Sequence, residues 1–145
     1  MIYALITARG GSKGIKNKNL KKIGNLSLLE KTCRNIKNSN LFDKIFCSSD
    51  SLKILNILKK NKIYPIKRPD NISKDKSNSI LAVYHFYYFL IRKKIELPEI
   101  VFLFQPTSPF IKTETINKIV NIYDKYPKTK PVISVYKVNN KYNYI

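Results

Sequence analysis

Between Ile6 and Leu20 the chain reads Ile-Thr-Ala-Arg-Gly-Gly-Ser-Lys-Gly-Ile-Lys-Asn-Lys-Asn-Leu. Three of its four glycines, Gly10, Gly11 and Gly14, fall in this stretch, bracketed by Arg9, Lys13, Lys16 and Lys18. Glycine allows sharp turns and lets backbone N–H groups approach a ligand with no Cβ in the way. A glycine-rich, cationic loop that follows a strand is a phosphate cradle in outline. It is neither of two common cradles. A Walker loop needs Gly-Lys followed by Ser or Thr, which is absent, and the dinucleotide fingerprint needs a G-x-G-x-x-G spacing that these glycines do not have. Composition alone also permits a solvated basic loop.

Other residues capable of chemistry cluster in three short blocks: Ser48-Ser-Asp-Ser51, Arg68 to Asp75, and Gln105-Pro-Thr-Ser-Pro109. Arginine occurs only at Arg9, Arg34, Arg68 and Arg92 in a chain otherwise rich in lysine. Only the planar guanidinium offers a bidentate fork to phosphate or a base edge. Arg9 and Arg68 therefore mark positions where Lys does not substitute, whereas Arg34 and Arg92 fall on expected helix surfaces. Asp50 or Ser51 starts the next helix, and Asp50, which follows an expected strand, reads as its cap rather than as a metal ligand. Asp75 or Ser77 reads as a cap for the helix after them. His85 sits in an apolar helix and reads as a core or surface residue. Cys33 and Cys47 have no metal-ligand spacing and form no C-x-x-C, so they read as reduced, small core residues.

The elements that must position these residues follow from periodicity. Ile2 to Thr7 reads as a buried strand. Ser27 and Glu30 form a capping box for a helix to about Asn38, with Leu29, Cys33 and Ile36 on its inner face. A strand at Lys44 to Ser48 leads to a helix carrying Leu52, Leu55 and Leu58, and then to a strand at Ile63 to Lys67. After a polar loop, Ile80 to Ile91 is apolar nearly all round, the pattern of a buried helix. Ile100 to Phe104 reads as a strand in the middle of a parallel sheet. Thr113 reads as the cap of a helix with Ile116, Ile119, Val120 and Tyr123 inward, and Pro131 to Tyr136 as a last strand. Strands and helices alternating in this way specify one domain, residues 1–145: an open, mostly parallel, Rossmann-like α/β sheet with helices on both faces. Ligands of such sheets lie beyond the carboxyl ends of the strands. All four blocks follow strand ends, which predicts one shared site.

The chain of 145 residues carries a formal net charge of +19. Anionic partners follow from that charge, although lysine-rich coding bias accounts for much of it. A nucleic-acid-binding module is the rival reading, and it would need a basic face with stacking aromatics. Its candidate platform is Tyr136, Tyr142 and Tyr144. Met1 leads directly into a strand without a basic leader, and no apolar run approaches a membrane span. A cytoplasmic protein without membrane attachment is the expectation.

The loop Ala8 to Leu20, together with Ser48 to Ser51, the R-P-x-x-I-S-x-D block at Arg68 to Asp75, and Gln105 to Pro109, resembles the ordered motifs of the acylneuraminate cytidylyltransferases, the CMP-sialic acid synthetases. The resemblance runs along essentially the whole chain and corresponds to roughly the first two-thirds of such an enzyme. It implies a fold of the nucleotide-diphospho-sugar transferase type and a reaction of CTP with the anomeric hydroxyl of a nine-carbon acidic keto sugar, with pyrophosphate released. By that resemblance Ala8, Arg9, Gly10, Gly11, Ser12, Lys13 and Lys18 bind the nucleotide, with Arg9, Ser12, Lys13 and Lys18 on the triphosphate and Arg9 and Lys18 as the catalytic cations. Asn19 holds the ribose, Arg68 reads cytosine, and Ser77 and Ser79 close over base and ribose. Gln105, Thr107 and Ser108 face the sugar. The family's frequent P-L-R is replaced by Pro109-Phe110-Ile111-Lys112, so no arginine contact carries over there.

The resemblance also implies elements without counterparts in the 145 residues. These are a D-x-D-type pair that holds Mg²⁺, an N-x-A-x-Y-type sugar block, and a segment that makes homodimers. The expectation is therefore a fragment, a truncated product or a degenerate relative. It would bind CTP weakly and turn over poorly unless another chain supplies the aspartates. Sialic, legionaminic and pseudaminic acids remain candidate sugars, with the Gln-Pro-Thr-Ser block pointing away from the last. In contrast, a sugar-1-phosphate nucleotidyltransferase loop usually closes on Pro-Lys, where this one closes on Lys18-Asn19.

Overall fold

A computed structural model describes residues 1–11, 14–74, 77–125 and 131–135. Its centre is β1 (Ile2–Thr7), whose Tyr3, Ala4, Leu5 and Ile6 are fully buried. The remaining strands are β2 (Lys22–Ile23), β3 (Leu26–Ser27), β4 (Lys44–Ser49), β5 (Tyr64–Lys67) and β6 (Ile100–Phe104), and the helices are α1 (Leu28–Asn38), α2 (Leu52–Lys60), α3 (Ser79–Arg92) and α4 (Thr113–Lys125). The main sheet has the order β5-β4-β1-β6, and every pairing in it is parallel. β2 and β3 form a small antiparallel hairpin that turns at Gly24, where φ is +65°. Only glycine adopts that conformation without steric cost.

The period-2 alternation of β1 assigns its side chains to two cores. Ala4 and Ile6 pack with Leu29, Cys33 and Ile36 of α1, Ile54, Leu55 and Leu58 of α2, and Ile116 of α4. Tyr3 and Leu5 face the other way, against Phe46, Phe86 and Leu90. Helices α1, α2 and α4 thus cover one face of the sheet and α3 the other, the arrangement expected from the alternation of elements. The start of α1 is fixed as the sequence predicts. Glu30 donates its N–H to Ser27 Oγ at 3.2 Å, and its carboxylate accepts the Ser27 N–H at 2.8 Å. The Ser27 hydroxyl also donates to that carboxylate at 2.6 Å, and this bond first, then the Ser27 N–H and the Lys22 charge, hold the Glu30 carboxyl below its usual range against the opposing effect of burial.

Four expectations are corrected. First, among the described residues β6 pairs only with β1 and is an edge strand rather than a central one. Its apolar side chains are covered in part by Phe42, whose ring lies 5.3 Å from that of Phe102 and 5.7 Å from that of Phe104. Second, residues 131–135 form no strand, while Tyr136, Tyr142 and Tyr144 lie outside the described residues. Third, α3 is not buried all round. Ala82, Phe86 and Leu90 are inside, but Tyr84 is 67% and Tyr88 61% exposed. Among the described residues α3 is the one helix on this sheet face, with no second layer over its outer side. Fourth, the helix caps differ. Ser51, not Asp50, accepts the Ile54 N–H and caps α2. Asn78, not Ser77, accepts the Ile80 N–H and caps α3. Helix α4 begins at Thr113 itself, with the Lys112 carbonyl accepting the Thr115 N–H at 3.0 Å.

Candidate functional site

Beyond the carboxyl ends of β1, β5 and β6 lies a cleft of about 240 Å³. Thr7, Arg9, Lys18 and Asn19 enter it from the first loop, and Arg68 from the end of β5. Ser77, Asn78 and Ser79 enter from the start of α3, and Gln105, Pro106 and Thr107 from the end of β6. Parallel strands place all their carboxyl ends on one rim, so residues separated by up to a hundred positions meet there. Arg9 and Arg68, the two arginines singled out by their scarcity, line the same hollow.

The first loop is held by its own polar groups. Ala8 is buried and donates its N–H to the Ser48 carbonyl at 3.1 Å, extending the β1–β4 ladder past Thr7. The Asn19 side chain is 6% exposed and donates from Nδ2 to the Arg9 carbonyl at 2.8 Å, closing the loop across ten residues. Its amide thus braces the loop as well as lining the cleft. Gly10 donates its N–H to Asp50 Oδ1 at 2.8 Å, so the donor assigned to a phosphate is met by a carboxylate instead. A Cβ at Gly10 would stand 2.7 Å from Ser51 Cβ, so the close approach that glycine permits is to β4's end, not to a ligand. Gly11 and Gly14 face open space. The left-handed turn in the loop falls at Asn17, φ 56°, which tolerates that region better than most residues do. Ser12 and Lys13 lie outside the described residues.

Arg68 is the least expected feature on energetic grounds: a guanidinium only 6% exposed. Its backbone N–H continues the β4–β5 ladder to the Ser49 carbonyl at 2.8 Å, which fixes where the side chain starts. Its Nε has no hydrogen-bond partner among the described residues. Burial pulls its pKa below the ordinary arginine value, Asp50 and Cys47 oppose that, and Arg9 adds to it. A buried donor without an acceptor is costly, and such an arrangement suits a group whose acceptor arrives with a ligand. His85, on the α3 face near Arg68, is shifted below its usual value by burial and then by the Arg68 charge.

The cleft therefore brings together Arg9, Lys18, Asn19, Arg68, Ser77, Ser79, Gln105 and Thr107. Ser108 is exposed and turns back, donating its N–H to the Gln105 carbonyl at 3.1 Å, without lining the cleft. Ile72, Ser73 and Lys74 form part of a wall that was not singled out in the sequence. All three stand inside the Arg68 to Asp75 block, and that was the available signal. Thr7, Asn78 and Pro106 are likewise lining residues without a prior assignment. Among the described residues no three His, Cys, Asp or Glu side chains converge. Nor is any helix among them long and apolar enough to cross a membrane.

The cytidylyltransferase family model matches residues 3–144. The N-acylneuraminate cytidylyltransferase of Escherichia coli O18:K1:H7 is 31% identical over 144 residues, which cover 95% of this chain and 32% of that protein. The CMP-N,N'-diacetyllegionaminic acid synthase of Legionella pneumophila is 30% identical over 141 residues, covering 97% of this chain and 60% of that protein. The chain thus spans about a third of the first relative and less than two thirds of the second. A CMP:2-keto-3-deoxy-manno-octonic acid synthetase solved with CTP superposes with a TM-score of 0.70 at 14% identity, over 86% of this chain and 47% of that one. A cytidylyltransferase from Leptospira borgpetersenii superposes with a TM-score of 0.65 at 16% identity, over 86% of this chain and 49% of that one. At these identities the likeness is one of fold.

Proposed function

Because this chain belongs to the cytidylyltransferase family, we propose that its cleft binds CTP and directs the cytidylyl group to an acidic nine-carbon keto sugar of the sialic or legionaminic type. The observation that carries this reading is the meeting of Arg9, Lys18 and Arg68 in one hollow at the carboxyl rim of the sheet. The sugar class is supported by the relatives, one an N-acylneuraminate cytidylyltransferase and one a CMP-N,N'-diacetyllegionaminic acid synthase.

In the proposed reaction the sugar's anomeric oxygen attacks the α-phosphorus. The bond from that phosphorus to the bridging oxygen breaks, and pyrophosphate leaves with the electron pair. The hydroxyl proton passes to solvent. Such a displacement depends on in-line positioning and on cations matched to the developing charge. Arg9 and Lys18 would meet the triphosphate and stabilise the leaving pyrophosphate. Asn19, Ser77 and Ser79 would border the ribose. The Arg68 guanidinium would donate to O2 and N3 of cytosine, and uracil presents an N–H at the second position. Gln105 and Thr107, with Ser108 at the turn, would face the sugar.

The test is calorimetric titration of the chain with CTP, UTP and ATP, followed by measurement of pyrophosphate release from CTP with N-acetylneuraminate or a legionaminate, with and without Mg²⁺. CTP-selective binding supports the nucleotide half of the proposal. Absence of CTP binding, or equal binding of all three nucleotides, refutes it. Sugar-dependent pyrophosphate release supports the transfer half. CTP binding without release refutes transfer by this chain alone.

A further inference from the structure

We propose that Asp50 is a positioning residue of the cleft, clamping the glycine loop to the end of β4 so that the loop is ordered before a nucleotide arrives. This deepens the nucleotide reading above and rests on it. The carboxylate accepts the Gly10 N–H at 2.8 Å across forty residues of sequence. Ser51, the next residue, lies so close to Gly10 that no side chain fits between them. The Asp50 carbonyl in turn accepts from Lys67 Nζ, immediately before Arg68. Two segments, the loop after β1 and the end of β5, are therefore gathered on three consecutive residues: Ala8 bonds Ser48, Arg68 bonds Ser49, and Gly10 and Lys67 bond Asp50.

Two effects of this carboxylate on an anionic ligand have opposite signs. As a negative charge close enough to act on Arg68, it opposes binding of a triphosphate. As an acceptor for Gly10 it fixes the loop that presents Arg9, removing ordering entropy from the binding step. The N–H-to-carboxylate bond is charge-assisted and local, whereas the repulsion is weakened by the cationic surroundings. The clamp should dominate.

The two effects separate by substitution. Asp50→Asn keeps an oxygen acceptor at the same place and removes the charge, whereas Asp50→Ala removes both. The expected result is CTP affinity equal to or tighter than wild type for D50N, and about tenfold weaker for D50A, the size of one lost charge-assisted bond. Hydrogen exchange at the Gly10 amide, followed by NMR without nucleotide, should be slow in the wild type and D50N and fast in D50A. Ser27→Ala, at the cap of α1, controls for general loss of stability and should leave Gly10 exchange unchanged. Gly10 exchange that is insensitive to D50A overturns the clamp whether or not CTP binds. Absence of CTP binding in the wild type, with D50A still accelerating Gly10 exchange, overturns the nucleotide reading and leaves the clamp standing. Equal CTP affinity of D50A and the wild type overturns the positioning role. Loss of affinity in D50N that appears only with Mg²⁺ also overturns it and makes Asp50 a metal ligand.

Discussion

Replacing Arg68 by lysine separates a general cation from a base reader. The side chain is 6% exposed, and its Nε has no partner among the described residues. Lysine keeps the charge but presents one point donor where the guanidinium presents a planar pair. If cytosine meets the fork through O2 and N3, R68K loses one charge-assisted hydrogen bond, about 1.5–3 kcal/mol. That loss corresponds to roughly a 10- to 150-fold rise in Kd. Burial favours the upper part of the range, because little water can reach the site to replace the missing donor. UTP carries an N–H where cytosine has the N3 acceptor, so it gains little from the fork in the wild type. The CTP-to-UTP preference should therefore shrink in R68K mainly through weaker CTP binding. Calorimetry with both nucleotides and inorganic triphosphate reads each part, and a thermal melt confirms that the variant folds. Triphosphate affinity should change by less than about threefold, since the charge is kept. An R68K protein that binds CTP within about twofold of the wild type, with the same preference over UTP, would refute the assignment of Arg68 to the base.

Other outcomes follow from the same geometry. Gly10→Ala should weaken CTP binding and lower the melting temperature, because its Cβ would lie 2.7 Å from Ser51 Cβ; a melt and titration indistinguishable from wild type would contradict that packing. Neither cysteine should react with a thiol reagent in the folded protein, since burial pushes Cys33 up to about 12 and Cys47 well above its usual value; both should react at ordinary rates after denaturation, as absorbance with an aromatic disulfide would report. Stability should fall as pH drops below about 6.5, the ordinary histidine value. The folded-state pKa of His85 is depressed, so the unfolded chain binds the proton first and the stabilisation is lost as pH falls through the folded value. His85→Asn should flatten that part of a stability-versus-pH curve, and an unchanged slope would count against it. Ser27→Ala should cost about 1 kcal/mol through loss of the α1 cap, measured by denaturant unfolding.

What could be read from the chain divides along physical lines. The capping box at Ser27 and Glu30, the buried strand Ile2 to Thr7 and the alternation of strands with helices are local patterns, and the structure contains all three. The place of Ile100 to Phe104 in the sheet is not local. Five apolar residues in a row fit a central strand, but they equally fit an edge strand covered in part by Phe42, with Leu103 left exposed. Helix α3 shows the same limit. Its tyrosines contribute apolar surface to a periodicity count, yet Tyr84 and Tyr88 stand outward, where an amphipathic ring with a hydroxyl tip is tolerated.

The site was legible for a different reason. A parallel sheet converts order along the chain into position along a rim, so residues just past strand ends need no long-range prediction to be brought together. Arg9, Arg68, Gln105 and Thr107 meet on that basis alone. What the chain did not disclose is the direction of each polar group once there. Asp50 offers an acceptor both to the helix it precedes and to the loop beside it. The helix is already capped by Ser51, so the carboxylate is left for Gly10. Asn19 likewise turns its amide to the Arg9 carbonyl at 2.8 Å and supplies that backbone acceptor with a donor. In both cases a side chain expected elsewhere, Asp50 at the helix cap and Asn19 at the ribose, bonds the backbone of the first loop. Arg9, Lys18 and Arg68 line the same cleft from two strand ends.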